Sequence, residues 1–173
     1  MIKAPLAVLA SLLFLPTLTL ATEAPPSAAT VTTATPVHVA VDQQALLASA
    51  NPKLAANKQL VYDFWRVVFE GCHLDQADKY LSKGYIQHNP TVPTGRAGFV
   101  TFLSQYCQPK PIASTIQAKL ISIVAERDMV VLSFANQHAD PKHPGKTYTS
   151  TWFDMFRIAD GKIAEHWDPQ LKQ

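Results

Sequence analysis

The hydrophobic pattern of the chain changes from a helical period to a strand period at Pro109 and Pro111. Before these prolines, apolar residues recur at helical spacing on one face of each segment, whereas after them apolar and other residues alternate. Helices followed by long alternating segments predict an α+β domain, in which an antiparallel sheet packs one face on the helices.

Three helices are predicted before the prolines. The first is capped by Asn51, has Pro52 at its first helical position and ends at Gly71. A shorter second helix is predicted over 75–81, and a third is predicted to begin after Thr94, which can cap it.

Four strands are predicted after the prolines, and they form two hairpins. Residues 116–124 pair with 129–138 through the turn 126–128, and residues 148–158 pair with 163–168 through Asp160 and Gly161. A curved sheet of this size encloses a pocket between its concave face and the helices. Such pockets are the usual ligand sites of proteins.

The first 21 residues have the features of a secretory signal peptide. Lys3 gives a positive start, Leu6 to Leu15 form an apolar run, and small residues surround a cleavage point after Ala21. The apolar run is shorter than the roughly 20 residues that span a bilayer, and no later segment is long and apolar enough to do so. We therefore expect an exported protein, periplasmic or secreted, that has no membrane segment after cleavage.

Residues 22–50 are predicted to form a flexible leader. Alanine, threonine and proline dominate its first part, and no aromatic residue occurs between Phe14 and Tyr62. Such a segment buries too little apolar surface to offset its ordering entropy. A short helix is permitted between Asp42 and Ala50, and the folded domain is predicted to span 51–173.

The charge of the chain argues against nucleic-acid binding. Fifteen basic and 13 acidic residues give a net charge of +2, which cannot supply a phosphate-neutralising surface.

The chain has two cysteines, Cys72 and Cys107, at the ends of the first and third predicted helices. In an oxidising compartment, two cysteines are more often partners than reagents, so we predict a disulfide between them.

The chain contains three separated motifs, which are YIQHNP at 85–90, GRAGF at 95–99 and DMFRIADGKIAEHWD at 154–168. In this order they resemble the SnoaL-like polyketide cyclases of the nuclear transport factor 2-like superfamily. The resemblance covers roughly residues 54–170. It implies a cone-shaped α+β fold, with a curved antiparallel sheet wrapped around N-terminal helices and enclosing one apolar pocket.

The resemblance also implies intramolecular aldol chemistry, without a metal or an organic cofactor. In these cyclases an aspartate near the chain end exchanges protons with the substrate, and Asp168 is the matching position. An apolar pocket can raise the pKa of such a carboxyl group toward neutrality. If the last strand is regular, His166 and Asp168 point to one face and can share the pocket wall. Alternatively, Asp168 simply ends the strand in solvent.

Two further residues are candidates for acid/base catalysis. His88 is either a pocket acid or base, or a residue that hydrogen-bonds the backbone in the turn at Asn89 and Pro90. Asp154 shares an apolar strand face and is either a pocket group or the partner of a cation such as Arg157.

Tyr85, Trp152 and Asn89 are candidates for ligand contact, although the two aromatic residues equally suit core packing. The loop with His138, Asp140 and His143 has the donor types of a zinc site. Because it lacks both a histidine pair at helical spacing and a cysteine pair, we predict no metal site.

Two function hypotheses remain. The first is a cofactor-independent cyclase, isomerase or hydrolase that acts on a small apolar carbonyl compound through Asp168 with His88, Asp154 or His166. The second is a non-catalytic exported protein that binds a small apolar molecule in the same pocket. Export argues against polyketide biosynthesis, whose substrates are made in the cytoplasm. The resemblance also implies that two copies can pair through the exposed face of the sheet.

Overall fold

The computed structural model describes residues 37–172. The predicted signal peptide and residues 22–36 of the predicted leader lie outside this range. The elements of regular structure are a 3-10 turn at Ala45–Leu47, helix α1 at Pro52–Phe64, a π-helical turn at Trp65–Glu70, a 3-10 turn at Leu74–Gln76, helix α2 at Ala77–Tyr80, strand β1 at Leu81–Gln87, helix α3 at Arg96–Leu103, and strands β2 at Leu120–Glu126, β3 at Met129–Ala139, β4 at Thr147–Ala159 and β5 at Lys162–Trp167.

Helix α1 begins as predicted. The side-chain oxygen of Asn51 accepts hydrogen bonds from the backbone N–H groups of Lys53 and Leu54, and Pro52 occupies the first turn. The helix continues into the π-helical turn, which ends at Gly71. A Cβ atom on Gly71 would lie 2.7 Å from the carbonyl oxygen of Val67, so only glycine fits this close backbone approach.

The sheet has five strands rather than four, in the order β1-β5-β4-β3-β2. The additional strand, β1, pairs parallel with β5, and the other neighbours are antiparallel. The prediction missed β1 because Gly84 and a register shift between Leu81 and Ile86 interrupt its alternation. Helix α3 therefore follows a strand, and the predicted order of three helices before all strands is wrong.

Helix α3 also begins differently from the prediction. Gly95, with a φ of 87°, is the capping residue, and Thr94 does not cap the helix. The Thr94 hydroxyl instead accepts a hydrogen bond of 2.9 Å from the backbone N–H of Gln87, which ties the helix start to β1.

An extra residue in β5 contributes to the curvature of the sheet. Arg157 and Ile158 are adjacent on β4, yet they pair with Glu165 and Ile163, so Ala164 is unpaired between them. Such a bulge bends a strand and increases its twist. It also places Ile163 and His166, three residues apart, on the same buried face.

The core lies between α1 and the concave face of the sheet. Phe64 on α1 packs against Phe99 on α3 and Phe156 on β4, with ring centroids about 6 Å apart (5.9 and 6.0 Å). The fold is thus the predicted α+β cone, with a curved sheet wrapped around helices. Within residues 37–172, the helices are too short or too polar to cross a bilayer.

Part of the predicted leader packs on the domain. Gln43 is buried, donates to the carbonyl of Ile116, and accepts from the hydroxyl of Tyr62 and the N–H of Ile116. Leu47 joins the hydrophobic core. The ordered domain therefore begins before Asn51, because these side chains give residues 43–47 both polar and apolar partners.

Candidate active site

The concave face of the sheet and the helices enclose a cavity of about 550 Å³. Half of the residues that line it are aromatic, and the polar ones are concentrated on β1, β4 and β5 and in the segments that follow β1 and β5. Five of these residues form the polar end of the cavity, namely Gln87, Asn89, Asp154, His166 and Asp168, and Thr91 and Asn136 also line it.

Asp154 and His166 form a buried pair at this polar end. They lie on the neighbouring antiparallel strands β4 and β5, where His166 is opposite Phe156 and Asp154 is two residues further along. Only 4% and 7% of the surfaces of Asp154 and His166 are exposed. The Nε2 atom of His166 lies 2.8 Å from Oδ1 of Asp154. Because two bare lone pairs would repel at this distance, one hydrogen must lie between the two atoms.

Gln87 shows that Nδ1 of His166 carries a hydrogen, in addition to the hydrogen between Nε2 and Asp154. Its Oε1 atom accepts from the backbone N–H of Asn89 at 3.0 Å and lies 2.8 Å from Nδ1 of His166. Since Oε1 is an acceptor, Nδ1 must be the donor. The hydrogen between His166 and Asp154 is then shared by Nε2 and the carboxylate.

The second oxygen of Asp154, Oδ2, is buried and has no hydrogen-bond partner within the described residues. Burial raises the pKa of Asp154 above the ordinary carboxyl range. The hydrogen bond and charge of His166 and the nearby Trp152 side chain oppose this rise only in part, and the charge of Asp168 adds to it. Asp154 lines the cavity, so a carboxyl group of altered acidity borders the space where a ligand would bind.

Asp168 also lines the cavity and is partly buried rather than fully in solvent. Its Oδ2 accepts from the side-chain amide of Asn89 at 2.7 Å, and its Oδ1 accepts from the backbone N–H of Gln170 at 2.9 Å. Both oxygens of Asp168 therefore act as hydrogen-bond acceptors. The predicted proximity of His166 and Asp168 on the pocket wall is therefore present in the structure.

Tyr85 and Trp152 line the same cavity. The Tyr85 hydroxyl accepts a hydrogen bond of 3.1 Å from the Gln87 side-chain amide. Burial raises the pKa of Tyr85, and the charges of Asp154 and Asp168 raise it further, so the hydroxyl keeps its hydrogen. Within the described residues this hydrogen has no acceptor, which leaves it available to a ligand.

His88 lies outside the cavity, contrary to its prediction as a pocket acid or base. It follows β1 and points away from Gln87 and Asn89, and its ring stacks on Trp167 at 4.6 Å. Its Nε2 is 3.0 Å from Glu165, which also pairs with Arg157. The hydrogen bond with His88 and then that with Arg157 hold the pKa of Glu165 below its usual range. Arg157 is thus the partner of Glu165 and not of Asp154.

Gln87 is the site residue that sequence reasoning missed. It alternates with Tyr85 and Asn89, and all three line the cavity. This spacing was the available signal, but it has meaning only once residues 81–87 are known to be a strand.

Two groups of potential metal ligands can be compared. In the loop considered above, His143 contacts Asp140 at 2.8 Å, whereas His138 contacts Ser150 at 2.7 Å. At the cavity, Asp154, His166 and Asp168 each offer one ligand atom, and these atoms lie within 4.8 Å of one another. Within residues 37–172, the potential ligands that converge lie at the cavity and not in this loop.

The predicted disulfide joins Cys72 and Cys107, with their Cα atoms 6.0 Å apart. It links the segment after the π-helical turn to the segment after α3, and Phe69 and Tyr106 beside it line the cavity. A disulfide is compatible with an exported protein.

Comparison with known proteins agrees with this architecture. A model of the SnoaL-like domain matches residues 61–166. The chain belongs to this family. The family assignment made from the three motifs is thereby confirmed, and the match spans strands β1 to β5 up to His166. A comparison with curated proteins finds no match.

Solved structures provide further similarities. A protein from Jannaschia sp. CCS1 named for SnoaL-like polyketide cyclases is 16% identical, with a TM-score of 0.50 over 70% of this chain and 91% of its own. TsrD from Streptomyces laurentii is 25% identical, with a TM-score of 0.43 over 66% and 87%. An LEH-like epoxide hydrolase from M. tuberculosis is 16% identical, with a TM-score of 0.44 over 65% and 80%. The first of these supports the fold.

Proposed function

We propose that this protein is an exported, cofactor-independent enzyme that performs acid/base chemistry on a small apolar carbonyl compound. The observation that carries the proposal is the buried carboxyl group of Asp154 on the cavity wall, which pairs with His166 through one oxygen while the other oxygen has no hydrogen-bond partner within the described residues. Most buried side-chain oxygens in proteins have such a partner.

The proposed reaction begins with the removal of a proton. Asp154, in the form in which the shared hydrogen lies on His166, takes the proton from the carbon next to the substrate carbonyl. The C–H electron pair moves to the carbonyl oxygen, and the enolate that forms accepts a hydrogen bond from Tyr85.

The fate of the enolate decides the reaction type. In an isomerisation, Asp154 returns its proton to a different carbon. In an aldol cyclisation, the enolate carbon forms a bond to a second carbonyl carbon, and Asp154 gives its proton to the alkoxide oxygen. Both sequences leave the protein unchanged and require no cofactor.

In this scheme Gln87 and Asp168 do not exchange protons with the substrate. Gln87 holds the imidazole of His166 in orientation through Nδ1. Asp168, whose two oxygens already accept hydrogen bonds, contributes charge and shape at the polar end. The sequence analysis expected Asp168 to exchange protons with the substrate. The proposal assigns this role to Asp154 instead, because Asp154 has the unpartnered oxygen.

Hydrogen–deuterium exchange tests the proposed first step without knowledge of the natural substrate. The probe is alpha-tetralone in deuterium oxide, and proton NMR follows the loss of the signal next to its carbonyl. We expect the protein to accelerate exchange over buffer, and Asp154→Asn to lose this acceleration by about 10²- to 10⁴-fold. Asp78→Asn, an exposed aspartate on α2, is the matched control and should keep the full rate.

Two outcomes would overturn the enzymatic proposal: an unaccelerated exchange with the wild-type protein, or an Asp154→Asn variant as fast as the wild type. Either result would favour the alternative, a binding protein that uses the aromatic cavity without turnover. Export is tested separately, since N-terminal sequencing of the protein from an extracytoplasmic fraction should begin at Thr22.

A further inference from the structure

The charge of the cavity limits which ligands it can hold. Within residues 37–172, neither a lysine nor an arginine lines it. Asp154 and His166 share one hydrogen, and Nδ1 of His166 carries another, so the pair is neutral overall wherever the shared hydrogen lies. The carboxylate of Asp168 accepts hydrogen bonds from uncharged donors only, so it leaves the polar end with one uncompensated negative charge.

The carboxyl groups of Asp154 and Asp168 are close enough for one donor atom to form hydrogen bonds to both of them. One oxygen of Asp154 and one of Asp168 lie within 4.8 Å of each other. A charged nitrogen makes hydrogen bonds of roughly 2.7–2.9 Å to a carboxylate oxygen, so one nitrogen can reach both. The buried Oδ2 of Asp154 lacks any other partner within the described residues.

The remaining wall suits an apolar body attached to such a nitrogen. Trp65 stacks on Phe134 with ring centroids 4.7 Å apart, and Trp152 lines the same cavity from β4. Aromatic faces attract an organic cation within about 6 Å, in addition to burying its hydrocarbon part. A carboxylate ligand would instead meet the charge of Asp168 without any lysine or arginine to compensate it.

We infer that the ligand of this cavity is a hydrophobic amine, with its protonated nitrogen between Asp154 and Asp168 and its apolar body against the aromatic wall. The inference rests on the proposed function only in that both assign the same cavity. It specifies the class of molecule that is recognised, whether or not turnover follows.

A divalent metal ion fits the same atoms less well. Nε2 of His166 and Oδ1 of Asp154 already bind each other, and both would have to separate to act as ligands. A small hard cation also gains nothing from a wall that is half aromatic.

The test compares three probes of similar shape by isothermal titration calorimetry: tryptamine, tryptophol and indoleacetate. They carry a positive, a neutral and a negative end group on the same ring system. We expect tryptamine to bind about 10- to 100-fold more tightly than tryptophol, as expected for a charge-assisted hydrogen bond, and indoleacetate to bind most weakly.

Asp168→Asn should remove most of the advantage of tryptamine while leaving tryptophol binding unchanged, and Asp78→Asn should retain the advantage. Equal binding of tryptamine and tryptophol to the wild-type protein would overturn the inference without any variant. The inference would also be overturned if zinc chloride bound to the wild-type protein but not to Asp168→Asn, and tryptamine bound no more tightly than tryptophol. Tryptamine binding without deuterium exchange would contradict only the proposed enzyme, whereas exchange without an amine preference would contradict only this inference.

Discussion

Removal of the Cys72–Cys107 disulfide should lower the stability of the domain substantially. The bond closes a loop with a sequence separation of 35 residues, and loop-closure entropy assigns such a cross-link about 4 kcal/mol. For a domain of this size, each kcal/mol corresponds to roughly 4 °C in melting temperature, so we expect a decrease of about 15 °C. Because Cys72 is buried, alanine is preferable to serine as its replacement, since a hydroxyl there would require a partner.

Thermal unfolding followed by circular dichroism measures this decrease. The variants are Cys72→Ala, Cys107→Ala and the double variant, each compared with the wild type with and without reductant. Since either single substitution already breaks the bond, the double variant should be little less stable than the single ones. Reductant should lower the melting temperature of the wild type alone.

The entropic reasoning fails if the two single substitutions cost less than about 1 kcal/mol each and their effects add, because independent small losses indicate packing and not a cross-link. The wild-type protein can also be treated with reductant while it is unfolded and then refolded. An unchanged melting temperature after this treatment would contradict the presence of the disulfide.

Four other predictions concern single residues. Because the pKa of Asp154 is raised by burial, the folded state holds its proton more tightly than the unfolded state, so stability is lost as pH rises above the ordinary aspartate value of about 4. Asp154→Asn should weaken that decline and be at least as stable as the wild type at neutral pH; urea unfolding at several pH values measures this, and parallel curves would contradict it. Gln43→Ala should cost about 1–3 kcal/mol in urea unfolding, because it leaves a buried tyrosine hydroxyl and a backbone amide without partners. Asn51→Ala should cost about 1 kcal/mol through loss of the helix cap, measured in the same way, whereas no change would show that the cap is dispensable. Nitrogen-15 NMR of the His166 ring should find Nδ1 protonated, and Gln87→Leu should allow the other tautomer, whereas a bare Nδ1 in the wild type would refute the assigned hydrogen-bond direction.

Much of the fold follows from local signals in the sequence. The cap at Asn51, the stop at Gly71 and the turn at Asp160 and Gly161 mark boundaries through backbone chemistry that does not depend on the rest of the chain. Strands β3 and β4 were predictable because buried apolar residues recur at every second position in part of each strand, as at Val130 and Leu132 on β3 and at Phe156 and Ile158 on β4. Strand β1 was not, because its pairing with β5 joins residues about 80 positions apart, such as Gln87 and His166, and no local pattern reports that contact.

The candidate site divides in the same way. Alternation placed His166 and Asp168 on one face correctly, since the bulge at Ala164 precedes both residues and leaves their relative phase intact. The same argument could not place His88, because its orientation depends on β1. The role of Gln87 could not be predicted either, because it depends on the contact of its side-chain amide with Nδ1 of His166, which is far away in the sequence.

The position of Asp154 is the strongest argument that the cavity has a purpose beyond packing. An apolar residue there would extend the buried face formed by Phe156 and Ile158 on the same strand, and would avoid the cost of burying a carboxyl group. His166 compensates for one oxygen of that group, whereas the other has no partner within residues 37–172. Since an unsatisfied buried acceptor costs about 1–3 kcal/mol, a fold selected only for stability would not retain it. A ligand that donates a hydrogen bond or a proton to this oxygen would remove the penalty, and that is the requirement common to the proposed reaction and to the proposed amine.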